Sequence, residues 1–287
     1  MASHIIGTID LSEYSIKEDL AYVNSVAKVA EEYDEFSQGY WQNLSLMNSS
    51  GDADDSAYRS SNNLLPTDHL RHCLGIRRLI QENFQVTNLK MVRTRNLIDG
   101  MVVPHKDFVE LDKEYSYLRL MIPLENNSSC FNSDEAGVFQ MRAGEIWVLD
   151  AAIGHAAINF STKSRIFLCL DYAFERGVRH TDVFIDPANV SNMGRDIYIE
   201  RKPMGISDQD HLIEGLSKIV SLFTLKDLLF AVSKYHFIYE VPVAAGFRWL
   251  KEAATIAGDE NVSRKIDHLS RYLIEDRVLG ERFFVNT

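Results

Sequence analysis

The sequence predicts a mainly β protein whose core is an antiparallel sandwich or jelly roll, flanked by an N-terminal α segment and a C-terminal helical lobe. Three observations predict this class. Residues from about 85 to 175 form short runs rich in Val, Ile, Phe and Trp, which is typical of strands. Turn-forming residues separate these runs, with no helical segment between them, which favours antiparallel strands over a βαβ sheet. The chain on either side of this region follows helical periodicity instead.

The N-terminal part of the chain is predicted to hold two helices with a loop between them. Ser15 and Glu18 have the spacing of a capping box at the start of the first helix. Residues 48–63 are rich in Ser, Asp, Asn and Gly and are typical of a loop. A second helix is predicted from about Thr67 to Asn83.

About seven strand-like runs follow in the middle of the chain. A break at Asp99-Gly100 is predicted to separate the first two of them. No GxGxxG or Walker-type loop is present, so a nucleotide-binding fold is not expected. The runs are "NLKMVRTRNL", "MVVPHKDFVEL", "YLRLMIPLE", "GVFQMRA", "GEIWVLDA", "HAAINFS" and "SRIFLCLDYAF".

From about Ser207 onward the apolar residues recur with the helical period. We predict a first helix with one apolar stripe formed by Leu212, Leu216, Ile219, Val220 and Phe223. Further helices are predicted over 225–235, 244–257 and 261–276, with Gly258 ending the second of these. We therefore expect a β domain with N-terminal helices over residues 1–205 and a helical domain over residues 206–287.

Composition excludes several classes of partner. The 287 residues include 46% apolar residues and carry a net charge of −11, which argues against a nucleic-acid groove or an anionic membrane surface. The three cysteines form no CxxC pair, so neither a zinc knuckle nor a disulfide framework is expected. The first residues lack the basic and apolar regions of a signal peptide, and no apolar run reaches the ~20 residues of a membrane helix. We expect a soluble, cytoplasmic protein, and we leave a homodimer open.

The segment "PHKDFVELD" indicates a metal site. Side chains at positions i and i+2 of a strand point to the same face, so His105 and Asp107 can converge on one point. His155, after a glycine-containing turn, is the third candidate ligand. Two histidines and one carboxylate on one face of an octahedron bind Fe(II) and leave three positions open. A 2-oxo acid and dioxygen could occupy these positions.

Arg165 adds a second requirement to this pattern. It precedes the apolar strand "RIFLCLDYAF", and no acid in the local sequence is an obvious partner. The far carboxylate of 2-oxoglutarate could supply that partner through two charge-assisted hydrogen bonds.

Each of these residues alone is more often structural. A lone HxD pair or a lone histidine at a strand start is usually part of the fold, and Arg165 could lie at a rim with its head in water. The ordered set of four is much more specific. Zinc hydrolysis also uses two histidines and one acid, but it assigns no task to Arg165.

Several segments resemble the bacterial proline 3-hydroxylases and, more distantly, the bacterial proline cis-4-hydroxylases. These segments are "EEYDEFSQGYW", "RTRN", "PHKDFVELD", "RAGEIWVLDAA", "HAAINF" and "ERKP". Both groups are non-haem iron, 2-oxoglutarate-dependent dioxygenases related in their core to the aspartyl/asparaginyl β-hydroxylases. The resemblance covers nearly the whole chain. It implies a double-stranded β-helix, iron at His105, Asp107 and His155, and 2-oxoglutarate at Arg165.

The resemblance also implies a reaction and a substrate class. We expect hydroxylation of a free amino acid, L-proline or a close cyclic analogue at carbon 3 or cis-4, with succinate and CO2 as co-products. An acyclic amino acid, a peptidyl side chain, or a non-catalytic metal-binding module are the alternatives. Arg93, Arg95 and Arg119 are candidates for the substrate carboxylate, and Trp147 is a candidate pocket wall. Met121 stands where the pattern of the resemblance has a histidine, which leaves the exact substrate open.

Overall fold

The computed structural model describes residues 2–59, 61–109, 111–175, 177, 179–189, 198–278 and 281–285, with the backbone alone at 32 and 33. Its strands form one curled antiparallel sheet of jelly-roll type in the order β1-β8-β5-β10-β4-β9-β6-β7, with β2 beside β4 and β3 beside β2. The predicted fold class is thereby confirmed. The strands are β1 (His4–Thr8), β2 (Ser37–Asn48), β3 (Leu65–Pro66), β4 (Leu89–His105), β5 (Ser116–Pro123), β6 (Cys130–Asp134), β7 (Gly137–Phe139), β8 (Glu145–Leu149), β9 (His155–Asn159) and β10 (Ile166–Phe174).

Helices lie before and after this sheet in the chain. None of the described helices is both long and apolar enough to cross a membrane. Short 3-10 turns cover Leu11–Glu13, Glu32–Glu35, His180–Val183 and Pro187–Asn189, and a π-helical turn covers Arg271–Glu275. The helices are α1 (Ile16–Ser25), α2 (Asp68–His72), α3 (Leu74–Asn83), α4 (Ile206–Ser217), α5 (Leu225–Ser233), α6 (Tyr235–Ile238), α7 (Ala245–Ala257) and α8 (Glu260–Ser270).

The break predicted at Asp99-Gly100 is wrong, because β4 runs through it as a single strand of 17 residues. The strand continues here and changes its pairing partner instead of ending. A Cβ atom on Gly100 would lie 1.7 Å from the carbonyl oxygen of Gln38, so the glycine permits the close approach of β2. Gly39, at φ 79°, forms the matching bulge in β2. As a result β4 pairs with β10 along its first half and with β9 along its second half.

Four strands are absent from the prediction: β1, β2, the two-residue β3, and β6. β1 pairs with β8, and β2 pairs with β4 over most of its length. The segment "SQGYWQNLSLMN" does not have the sequence pattern of a core strand. Several of its inward-facing positions carry polar residues, where a core strand would carry apolar ones.

The helix predictions hold in most places. α7 ends at Gly258, which adopts φ 72°, as predicted. Ser15 is the N-cap residue of α1, but its side chain makes no capping hydrogen bond, so the capping box is wrong. The predicted stripe of α4 is wrong at its end, because the helix stops at Ser217 and leaves Phe223 89% exposed. The domain boundary at 205/206 stays a prediction.

The helices cover the two outer faces of the curled sheet. α1 and α3 pack on the face formed by β5, β8 and β10, in a cluster that includes Val23, Ile76, Leu79, Leu120, Leu168 and Leu170. The C-terminal helices pack on the opposite face, in a cluster that includes Met101, Val103, Ile158, Leu229, Trp249 and Leu250. Side chains alternate along a strand, so the residues between these positions point into the space enclosed by the sheet.

Candidate metal centre

The three predicted metal ligands converge at one point inside the curled sheet. His105 ends β4, Asp107 follows it, and His155 begins β9 directly opposite His105. One ligand atom from each side chain lies within 4.8 Å of the others, and all three residues are buried. The two Nε2 atoms lie 3.7 and 3.8 Å from the carboxylate oxygens of Asp107. The structure therefore brings the predicted set together.

Both imidazole rings are oriented to present Nε2 to this point. The Nδ1 atom of His105 lies 2.8 Å from the carbonyl oxygen of Val103, and that of His155 lies 3.0 Å from the carbonyl oxygen of Ile153. A carbonyl accepts a hydrogen bond only from the Nδ1–H tautomer, which leaves the Nε2 lone pair for a metal. Burial lowers the pKa of His105 to about 3 and lowers that of His155 as well. Both rings are therefore neutral, the state that binds metal ions.

The carboxylate of Asp107 is held by a buried chain of charges. Arg119 donates from Nη1 to Asp107 Oδ2, and from Nε to Asp171 Oδ1 at 2.6 Å. Asp171, fully buried, also accepts from Arg93 Nη2 at 2.7 Å. Burial alone would raise the pKa of Asp107, but the guanidinium of Arg119 holds it well below the usual range. The carboxylate is thus ionised and fixed in orientation.

The backbone between the two ligands of the HxD motif is also held. The N–H of Lys106 donates to the carbonyl of Leu273 at 2.7 Å, and its carbonyl accepts from Arg277 Nη1 at 2.9 Å. The N–H of Asp107 donates to the carbonyl of Ala151 at 2.7 Å. The C-terminal helical region therefore contacts the motif directly.

Arg165 points into the same interior and is 4% exposed. Its Nη2 donates to Asn132 Oδ1 at 2.5 Å, and its guanidinium lies 4.1 Å from the ring centroid of Phe167. Within the described part of the chain, Nε has no hydrogen-bond partner and the side chain forms no ion pair. Burial lowers the pKa of Arg165 to about 10, so the group remains charged near neutral pH.

Of the three arginines predicted to bind a substrate carboxylate, Arg95 alone lines the metal cavity. Its guanidinium lies 5.8 Å from the ring centroid of Trp41, its Nε has no hydrogen-bond partner, and it makes no ion pair among the described residues. Arg93 and Arg119 lie on the same inward face but are committed to carboxylates of the chain. The cavity is lined by Trp41, Arg95, Val102, His105, Met121, Asn132, Leu149, His155, Ala156, Ala157 and Arg165.

Trp147 does not reach this cavity wall. Its fully buried ring is stacked on Phe139 at a centroid distance of 4.8 Å, and its Nε1 donates to Glu145 Oε2 at 2.9 Å. It belongs to the apolar cluster at the base of the interior, and its predicted role as a pocket wall finds no support in this position.

Among the residues that escaped the prediction are two polar ones, Asp171 and Asn132. Each lies at an inward position of its strand, and each satisfies an arginine. The signal was present in "RIFLCLDYAF", where an acid interrupts an apolar strand at an inward-facing position. An ionisable residue in such a run needs a buried partner, which here is the pair of arginines.

A curled antiparallel sheet with a buried cluster of two histidines and one carboxylate in its interior defines the class of the non-haem iron dioxygenases. Residues 12–174 match the family described as aspartyl/asparaginyl beta-hydroxylase, and residues 180–281 match the one described as L-proline 3-hydroxylase, C-terminal.

Full-length relatives agree with these matches. The chain is 38% identical to L-proline cis-3-hydroxylase 2 of Streptomyces sp, over 99% of this chain and 98% of the relative. It is 39% identical to L-proline cis-3-hydroxylase 1 of Streptomyces sp, over 100% of both chains. It is 29% identical to L-proline cis-4-hydroxylase of Rhizobium meliloti (strain 1021), over 98% of this chain and 99% of the relative. The chain therefore belongs to the L-proline 3-hydroxylase family, and the predicted resemblance is confirmed.

Proposed function

We propose that the protein is an Fe(II)- and 2-oxoglutarate-dependent hydroxylase of a free amino acid, L-proline or a close cyclic analogue, at carbon 3 or cis-4. Succinate and CO2 are the co-products. The observation that carries this proposal is the meeting of a buried His–Asp–His set with two buried arginines that have no carboxylate partner among the described residues. The names of the full-length relatives support the choice of proline.

His105, Asp107 and His155 are the residues that would hold the iron. The donor set fits, because both Nε2 atoms and the Asp107 carboxylate face one point and the imidazoles are neutral. Bound Fe(II) supplies the activation of dioxygen needed to oxidise an unreactive C–H bond. Asp107 also favours hydroxylation within the class, since halogenating relatives carry a small residue there to make room for chloride.

Arg165 would bind the far carboxylate of 2-oxoglutarate. Its guanidinium is fixed by Asn132 and by the ring of Phe167, so little side-chain freedom is lost when an anion binds. A bidentate pair with a carboxylate would satisfy the Nε atom that has no partner in the described chain.

Arg95 would bind the substrate carboxylate, since it is the candidate whose charge is not already neutralised. Arg93 and Arg119 would act indirectly, by keeping Asp171 and Asp107 ionised and in place. The chain's own tasks are thus to orient the ligands, to grip the two organic acids and to enclose the reacting C–H bond away from water.

The first test measures metal and co-substrate binding. Anaerobic addition of Fe(II) and 2-oxoglutarate should produce the visible metal-to-ligand charge-transfer band. His155→Ala should abolish the band, while His268→Ala, at an exposed position of α8, should retain it. A His155→Ala variant that keeps the band would remove the metal assignment.

The second test identifies the substrate. A panel of free amino acids is screened for succinate formation coupled to a product that gains one oxygen atom. Turnover of L-proline or a cyclic analogue is the expected result. Turnover of acyclic amino acids or peptides alone would favour the same chemistry on one of these alternative substrates. Binding of metal without any turnover would favour a non-catalytic metal-binding module. Cytoplasmic location and a homodimer stay predictions.

A further inference from the structure

Glu31 is a half-buried residue whose carboxylate has spare hydrogen-bonding capacity. It lies just before β2, and its Oε2 accepts a hydrogen bond from Asn43 Nδ2 at 2.5 Å. The other oxygen, Oε1, is buried and has no hydrogen-bond partner in the described chain. Burial raises the pKa of Glu31, with Asn43 and the nearby Arg93 and Arg95 opposing this effect. A buried carboxylate oxygen without a donor is costly, and a cation placed beside it would remove that cost.

The strand pairing places Glu31 on the same side of the sheet as Arg95. Asn43, which binds Glu31, is the direct partner of Arg95 across β2 and β4. Directly opposed residues of an antiparallel pair point to the same face. Trp41, two residues before Asn43, lies against the Arg95 guanidinium and lines the metal cavity. Glu31 lines an adjoining cavity with Asn43 and Ser45. One acid and one arginine thus flank the same stretch of β2 from two cavities, without forming an ion pair with each other among the described contacts.

A free α-amino acid carries one carboxylate and one ammonium group, so its site needs one charge of each sign. The carboxylates of Asp107 and Asp171 are both occupied by arginines. Glu31, in contrast, has a carboxylate oxygen without a hydrogen-bond partner among the described residues. Given the proposed function, on which this inference rests, we propose that Glu31 binds the ammonium group of the substrate while Arg95 binds its carboxylate.

This assignment restricts the substrate class. A residue inside a peptide has neither a free ammonium nor a free α-carboxylate, so it would leave both Glu31 and Arg95 without a counter-charge. Sites built around such groups strongly reject analogues that lack them. The pair therefore selects free amino acids over peptidyl side chains.

The test uses three probes: L-proline, tetrahydrofuran-2-carboxylic acid, which lacks the ammonium, and L-prolinamide, which lacks the carboxylate. Binding is measured by calorimetry on protein loaded with Mn(II) and 2-oxoglutarate, and KM by succinate formation with Fe(II). We expect Glu31→Gln to weaken L-proline about tenfold to 100-fold, the size expected for a lost hydrogen bond to a charged group. The same variant should bind the oxygen analogue as the natural protein does. Arg95→Gln should weaken the binding of L-proline in the same way, and it should bind L-prolinamide as the natural protein does.

Two further variants make the result specific. Glu35→Gln carries the same substitution in the same segment, at a residue paired with Lys226, and should leave L-proline binding unchanged. Glu31→Asp keeps the charge and should bind L-proline more tightly than Glu31→Gln. Unchanged L-proline binding by Glu31→Gln would overturn the inference while the hydroxylase proposal stood. Absence of amino-acid turnover by the natural protein would instead overturn the proposed function.

Discussion

At the scale of single residues, the arginines in the interior of this protein are of two kinds. Arg93 and Arg119 are neutralised by Asp171 and Asp107, whereas Arg95 and Arg165 have no carboxylate partner among the described residues. The first pair supports the metal ligands, and the second pair is available for organic anions. Their sequence neighbourhoods do not distinguish them, because the distinction depends on which residue stands opposite on another strand.

Asp171 should be important for stability because it is fully buried between two guanidinium groups. Removing one partner of a buried ion pair leaves an uncompensated charge, so Asp171→Asn should lower the free energy of unfolding by about 3 kcal/mol. Urea denaturation measures this difference. Asp208→Asn, at an exposed position of α4, serves as the control and should change stability by less than about 0.5 kcal/mol. A loss for Asp171→Asn no larger than that of the control would contradict the prediction.

The same residue predicts a pH dependence. Burial alone would raise the pKa of Asp171, but Arg119 and Arg93 lower it to about 2. A folded-state pKa below the unfolded value stabilises the protein at higher pH, and this contribution disappears as the pH falls from about 4 toward 2. The natural protein should therefore lose more stability across this window than Asp171→Asn, by roughly 2 kcal/mol. Parallel pH profiles of unfolding for the two proteins would show that the group does not contribute.

The candidate metal ligands were predictable from sequence as an ordered pattern of an HxD pair and a later histidine at a strand start. The strand period is not what orients the pair, because β4 ends at His105 and Asp107 lies just past it, where its backbone N–H donates to Ala151. His155 follows the turn that leads from β8 into β9, the strand beside the end of β4. The role of Arg165 with 2-oxoglutarate stays a prediction, and the structure adds that the side chain is buried without an ion pair among the described residues. The position of Glu31 could not be predicted, because it lies in an irregular segment where no periodicity sets the direction of a side chain.

At the scale of elements, the main surprise is β2. Its inward face carries Trp41, Asn43 and Ser45, two of which are polar. The alternation of apolar and polar residues that normally indicates a half-buried strand is therefore missing, and the segment was not predicted as a strand. The outer-face strands were found because their buried residues are Leu, Ile and Val. A strand that places polar residues on its inward face is therefore hard to predict from the alternation of apolar residues alone.

A second relation at this scale joins the C-terminal helical region to the HxD motif. Arg277 donates to the carbonyl of Lys106, the residue between the candidate metal ligands His105 and Asp107. Arg277→Gln should loosen this backbone and weaken Mn(II) binding about tenfold, in the range seen when groups that orient metal ligands are removed. Calorimetric titration of Mn(II) measures the effect.

The control for this experiment is Arg264→Gln, at an exposed position of α8. It should bind Mn(II) as the natural protein does, and both variants should unfold at similar temperatures. Equal Mn(II) affinity of Arg277→Gln and the control would show that the C-terminal contact does not position the motif.

At the scale of the whole molecule, the largest apolar clusters lie outside the curled sheet, and a group of buried ionisable residues lies within it. The helices on the two outer faces form separate apolar clusters with the strands they cover. Most of the buried apolar surface thus lies away from the cavity. The cavity can therefore hold many charges, because it is not the main source of the stability of the fold. Metal and organic anions that bind there should stabilise the folded state measurably.

Ligand binding should therefore appear as a rise in unfolding temperature. A ligand at 100 times its Kd adds about 2.7 kcal/mol. For a chain of this size that corresponds to a shift of about 5 °C. Mn(II) should raise the Tm, and 2-oxoglutarate should raise it further. Arg165→Gln should keep the first increment and lose the second, whereas retention of both would separate this arginine from co-substrate binding.

The continuity of β4 through Gly100 has a consequence for the proposed reaction. Arg95 lies before Gly100 and His105 after it, so one strand would carry both the proposed anchor of the substrate carboxylate and a candidate metal ligand. The backbone between these two residues would then set the distance between that carboxylate and the metal. A change in this stretch of β4 would bring a different carbon atom of a small ring within reach of oxidation.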